Sequence, residues 1–196
     1  HSTSFEVSVT QPLPEPYIVN AIEDQLLQAG FESTTVDLTD VFGEDLDGKE
    51  NLAFVVSSSD ETVLTTSVDG TTLTLTEVGF GMTNISVQAS NPTLGGTSVT
   101  DVFMVRVNAN PITTDIPDTD VDIEFGSTQF DLMDFFSDPN GDTITFSITN
   151  SNTGAVDVSI SEDSVLTITE VAEGSSTLII PASDGFGGSV EDQIIF

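Results

Sequence analysis

The side chains of this sequence that could do chemistry are carboxylates and amides set in tight turns. In Phe136-Ser137-Asp138-Pro139-Asn140-Gly141-Asp142, three short oxygen-bearing side chains fall within five positions. Pro139 and Gly141 turn the backbone sharply where those oxygens converge. Such a turn suits a hard cation. Calcium takes about six to eight oxygen ligands at roughly 2.3 to 2.6 Å, and Asp138, Asn140 and Asp142 can supply several of them. The competing reading is a solvated Asx turn that opens a strand. The pattern recurs earlier: Phe42-Gly43-Glu44-Asp45-Leu46-Asp47-Gly48-Lys49-Glu50-Asn51 also follows an Asp-Leu-x-Asp-x-Phe run and precedes an alternating strand.

Other chemistries lack their groups. His1 is the only histidine and there is no cysteine, so a nucleophile has no general base and zinc has no ligand set. Paired carboxylates can hydrolyse glycosides, but 33 acidic residues guarantee accidental pairs, and with no Trp and a single Tyr17 no aromatic cleft for sugar is expected. The spacing also departs from the EF-hand loop, whose glycine stands at position six. The expectation is a protein that is not an enzyme.

Two basic residues against 33 acidic ones give a formal net charge of −31 over 196 residues. Phosphate contacts need a basic surface, so nucleic acid is excluded as a partner, and anionic lipid is disfavoured for the same reason. No apolar run reaches the roughly 20 residues of a membrane span, so no membrane insertion is expected. Self-repulsion on this scale favours bound divalent cations or a salty medium.

The elements that must position the turns are strands. Apolar residues alternate with Thr and Ser in Thr72-Leu73-Thr74-Leu75-Thr76 and in Thr143-Ile144-Thr145-Phe146-Ser147-Ile148, the signature of half-buried antiparallel strands. Asp69-Gly70, Gly95-Gly96 and Gly187-Gly188 punctuate them. The fold class expected is all-β, an Ig-like Greek-key sandwich built twice. Most of the 13 Phe residues, Phe54, Phe103 and Phe146 among them, occupy strand positions that read as core, whereas Phe80 and Phe186 lie in Gly-rich loops.

The repeat fixes the domain organisation. Phe42 and Phe136 are 94 residues apart, while Glu77 and Glu170, like Ala89 and Ala182, are 93 apart. A period near 94 describes globular modules in tandem. Residues 17–107 form repeat 1, 108–111 a linker, and 112–196 repeat 2, whose last strand, begun at Gln193, is incomplete. Residues 11–16 are a stiff Pro-rich linker. Residues 1–10 carry a lone strand, Thr3 to Val9, that matches the closing strand Val102 to Val107. It reads either as a cut through a longer array or as a donor strand that completes the last module of the next copy.

On these residues the chain resembles cadherin-like repeats, specifically the dystroglycan-type cadherin-like modules of bacterial surface proteins. Asp45-x-Asp47-Gly48-x-Glu50-Asn51-x-x-Phe54 is similar to the family's Asp-x-Asp motif, and Ala182-Ser183-Asp184 to its Ala-x-Asp motif. Asn108-Ala109-Asn110-Pro111 resembles a reduced calcium-binding linker. Ile22-Glu23-Asp24 resembles the x-Glu-x strand start, and Leu75-Thr76-Glu77 stands where the family has Asp-Arg-Glu. The resemblance implies Ca2+ ligands at Glu23, Glu77, Asn108, Asn110, Asp138, Asn140 and Asp184, with Asp45, Asp47 and Asn51 as the corresponding set in repeat 1. Asn in the linker where the family has Asp implies weak binding, on the order of 10⁻⁴ to 10⁻³ M. Two placements stay open: ions at the junction, or one ion within each module.

The resulting expectation is a calcium-binding module pair of an extracellular adhesin or cell-surface structure, rigidified by calcium at domain junctions, with a homotypic or other cell-surface protein as partner. Two alternatives stand beside it. One is an extracellular filament subunit assembled head to tail through the N-terminal strand. The other is a carbohydrate-binding repeat attached to a polysaccharide-degrading enzyme.

Overall fold

A computed structural model describes residues 15–44, 51–92, 97–122 and 124–195. The expected strand Thr3 to Val9, residues 11–14 of the Pro-rich linker, and the candidate ligands Asp45 and Asp47 lie outside the described residues. Two compact units emerge. The first takes the described residues up to Gln25 together with Glu32–Val78 and Met82–Val105; the second takes Leu26–Phe31, Gly79–Gly81 and the chain from Arg106 onward.

In the first half of the chain the strands are β1 (Tyr17–Ile18), β2 (Gln25–Gln28), β3 (Ser33–Asp37), β4 (Phe42–Gly43), β5 (Ala53–Ser58), β6 (Leu64–Asp69), β7 (Thr72–Glu77), β8 (Gly81–Ser90) and β9 (Ser98–Asn108). They form sheets of order β3-β7-β6 and β2-β9-β8-β5. The chain thus leaves one sheet after β3, visits the other with β5, returns for β6 and β7, and crosses back for β8 and β9, the Greek-key path of an Ig-like sandwich. Alternation drives it. Leu73 and Leu75 of β7 are fully buried while Thr72 and Thr76 face out, and Ile85, Val87 and Ala89 of β8 do the same on the opposing sheet.

The second half repeats the plan with β10 (Ile112–Thr113), β11 (Ser127–Asp131), β12 (Phe136–Ser137), β13 (Thr145–Phe146), β14 (Thr149–Asn150), β15 (Val156–Ile160), β16 (Val165–Glu170), β17 (Thr177–Ser183) and β18 (Ser189–Ile195). One sheet runs β11-β16-β15. In the other, β17 lies between β18 and the pair β13 and β14. Its core gathers Leu132, Phe136, Leu166, Ile168, Leu178, Ile180 and Ile194. The aromatic pairs repeat as well: Phe42 packs on Phe54 with ring centroids 5.6 Å apart, and Phe136 on Phe146 at 5.1 Å. Among the described residues no α-helix forms; the 3-10 turn Leu132–Asp134 is capped by Asp131.

Two expectations change in detail. The run Thr143 to Ile148 is not one strand but is interrupted between β13 and β14. Both keep one register against β17, and the gap faces Pro181, which accepts from Ser147 N–H but has no N–H to return. The last strand starts at Ser189, earlier than Gln193, because β17 pairs it along its whole length from Ser183 to Thr177.

Aspartates brace each module from within. Asp101 Oδ2 accepts from Ile22 N–H at 2.7 Å and Asp24 Oδ1 from Met104 N–H at 2.6 Å; in the second unit Asp192 Oδ2 accepts from Ile116 N–H and Asp118 Oδ1 from Ile195 N–H, both at 2.8 Å. The leading segment and the closing strand of a module are therefore tied in both directions.

Candidate metal centre

The turn after β12 is shaped by Asp138. Its Oδ1 accepts the N–H groups of Asn140 at 2.8 Å and Asp142 at 3.1 Å, and Gly141 takes up φ +78°, a left-handed conformation that suits glycine. That leaves Asp138 Oδ2 buried and without a hydrogen-bond partner. The loop between β17 and β18 is built alike. Asp184 Oδ1 accepts from Phe186 N–H at 2.7 Å and Gly188 N–H at 3.0 Å, while its Oδ2 accepts from Asn108 Nδ2 at 2.7 Å. Gly188 is required here: a Cβ would overlap Asp184 Oδ2 and stand 3.0 Å from Asn110 Cα.

These two loops bring one oxygen each of Asp138, Asp142 and Asp184 within 4.8 Å of one another. Asp184 is buried, and the other two are half-buried. Burial pushes the Asp184 carboxyl up, but the hydrogen bonds from the Asn108 amide and from the N–H groups of Phe186 and Gly188 outweigh it and hold the group below its ordinary value of 3.8. Asp184 is thus anionic at neutral pH; the cluster is made only of hard oxygen donors, and one of its buried oxygens, Asp138 Oδ2, lacks a partner. That donor set fits Ca2+.

One cation is already present. Arg106, on the last turnward stretch of β9, donates through Nη2 to Asp142 Oδ2 and reaches Asn108 Oδ1 at 3.5 Å. Its guanidinium carbon sits 3.9 Å from the centroid of the Phe186 ring, so this loop aromatic packs on a cation. Sequence reading missed this role. The signal available was scarcity, since Arg106 is one of two basic residues and stands two positions before the linker.

The remaining candidates take varied positions. Asn140 Oδ1 accepts from Ala109 N–H at 2.7 Å and its Nδ2 donates to Val107 O at 3.2 Å, so this side chain holds the linker backbone. Asn108 is fully buried and also donates to Gln28 Oε1 at 3.2 Å. Asn110 is exposed, as are Glu23 and Asn51. Glu77 Oε2 accepts from Glu32 N–H at 3.2 Å, where Glu32 adopts φ +63°; Glu170 repeats the arrangement at Glu124, φ +74°, accepting its N–H at 3.0 Å. In repeat 1 the position of Asp184 is taken by Asn91, 93 residues earlier, whose Nδ2 donates to Glu44 Oε1 at 2.8 Å.

No protein-family model matches the sequence, and no curated protein does. Solved structures do match its fold. The I-band fragment I67–I69 from titin superposes with a TM-score of 0.59 at 15% identity over 94% of this chain and 65% of that one. Immunoglobulin domains 1–4 of Sidekick-1 give 0.58 at 18% identity over 93% and 48%. The human Desmocollin-1 ectodomain gives 0.50 at 10% over 93% and 41%. The chain spans less than two thirds of the length of each. At these identities the likeness concerns fold: the chain is a tandem pair of Ig-like, cadherin-like β-sandwiches.

Proposed function

We propose that this chain is a calcium-binding module pair of an extracellular adhesin or other cell-surface structure, with other surface proteins, its own copies included, as partners. Asp138, Asp142 and Asp184 would hold the ion; Asn108 and Asn140 position them. Bound calcium would offset the repulsion among three carboxylates, one buried and two half-buried, that meet within 4.8 Å. The observation that carries this reading is Asp138 Oδ2, buried and unpartnered beside two further carboxylates. An unsatisfied buried acceptor costs about 1 to 3 kcal/mol, and a cation removes that cost.

Calorimetric titration with CaCl2, paired with melting curves in CaCl2 and in EDTA, tests it. Binding on the order of 10⁻⁴ M and a melting point raised by calcium are expected. Identical curves in both buffers, with no heat of binding, would remove the metal from this account.

A further inference from the structure

We propose that Arg106 is a built-in counter-ion of the carboxylate cluster, so that part of the cluster's charge is offset without metal and calcium binds by displacing the guanidinium from Asp142. The second half of this inference rests on the calcium reading above; the first does not.

Three observations converge on Arg106. It is one of two basic residues in a chain of net charge −31, and it meets a carboxylate of the very cluster that gathers three. Its Nε is buried without a hydrogen-bond partner, although a guanidinium offers five N–H donors and a settled structural arginine satisfies them. Phe186 covers one face of the group and Asp142 takes one edge, so it is held by charge and stacking while part of its hydrogen-bonding capacity goes unused. Displacement would return Nε to water.

Comparison of the repeats gives the reason for its presence. Asn91 in repeat 1 is neutral, and its amide donates to Glu44 Oε1, although Glu44 Oε2, like Asp138 Oδ2, is buried without a hydrogen-bond partner. Its counterpart Asp184 adds a buried negative charge beside Asp138, the counterpart of Glu44 94 residues on. Burying a further charge without compensation is strongly unfavourable. Arg106 is the compensation, and a divalent cation competes for the same carboxylates.

The test is a CaCl2 titration of the full chain and of Arg106→Gln, with melts in EDTA and in NaCl of matched ionic strength, and MgCl2 as a second probe. Arg106→Gln should melt lower than the parent in EDTA, recover in calcium, and bind calcium at least about ten-fold more tightly, because a competing positive charge has left the site. Equal calcium affinity in parent and variant overturns the inference, and so does an unchanged melt in EDTA. If Arg106→Gln folds in neither buffer, Arg106→Lys carries the test. Lysine keeps the charge but not the planar stack on Phe186, and its calcium affinity should exceed the parent's; parental affinity overturns the proposal. A parent that ignores calcium while Arg106→Gln binds it sinks the calcium role of the native chain and leaves the counter-ion standing. Calcium bound equally by both does the reverse.

Discussion

Asp138 and Asp184 fold their loops by the same device: each accepts, through Oδ1, the N–H groups two and four residues further on, while Oδ2 of Asp184 accepts from Asn108 and Oδ2 of Asp138 stays buried without a partner. One carboxylate oxygen does the folding. At Asp138 the second has no partner, so there loop shape and ligand supply are separable by substitution.

Asp138→Asn separates them. Asn keeps an oxygen for the N–H groups of Asn140 and Asp142 and replaces the unpartnered oxygen with a donor in a turn that gathers two further carboxylates. In EDTA the variant should be as stable as the parent or more so, by about 1 kcal/mol. Its calcium response should vanish. Melts with and without calcium check both, and a retained calcium shift would show that the ion sits elsewhere.

Acid should act through Asp184. Its folded pKa lies below 3.8 while the unfolded chain titrates near that value, so its contribution is fully present above the unfolded pKa and is lost as pH falls through the lowered folded one. Asp184→Asn should therefore be less stable than the parent at pH 7, with the gap closing below about pH 4. Urea melts across that range measure it; a gap that widens on acidification would contradict the assignment.

Gly188→Ala should displace Asp184, since the new methyl would occupy the space of its Oδ2 and press on Asn110. A loss of about 1 to 3 kcal/mol is expected, together with weakened calcium binding. Gly141→Ala, where nothing crowds a Cβ, should show only the smaller cost of the left-handed backbone, about 1 kcal/mol. Thermal melts of the two variants side by side distinguish clash from conformational strain.

Glu170→Ala removes the carboxylate that accepts the N–H groups of Glu124 and Gly126, two consecutive anchors of a turn with left-handed residues. Stability should fall by about 1 kcal/mol with calcium affinity unchanged. Glu77→Ala tests whether the same cap in repeat 1 is structural: a parallel loss of stability, again with calcium affinity retained, is expected, and a loss of calcium binding would restore Glu77 to the ligand set.

How much of this was legible depended on sequence distance. Thr72 to Thr76 announced its strand because period-two alternation is local, and Asp138, Asn140 and Asp142 announced a turn for the same reason. Asp184 was reachable through the resemblance of Ala182-Ser183-Asp184 to an Ala-x-Asp motif, since the repeat itself has Asn91 there. Arg106 was not: it meets a carboxylate 36 residues away, and in Val105-Arg106-Val107 it reads as an ordinary outward strand residue. Asn140 has the residue type of a ligand, yet its side chain is spent on the backbone at Val107 and Ala109, a use that spacing alone does not show. The break between β13 and β14 needed the partner strand, since the proline responsible lies in β17.

The paired aspartate braces bear on how a module would carry load. Asp118 grips Ile195 while Asp192 grips Ile116, so a pull on the two ends of that module strains both grips at once, side by side, instead of peeling them in turn. Bonds arranged in parallel share force. Each sandwich should accordingly resist stretching until it yields abruptly, behaving as a stiff link and not as a spring.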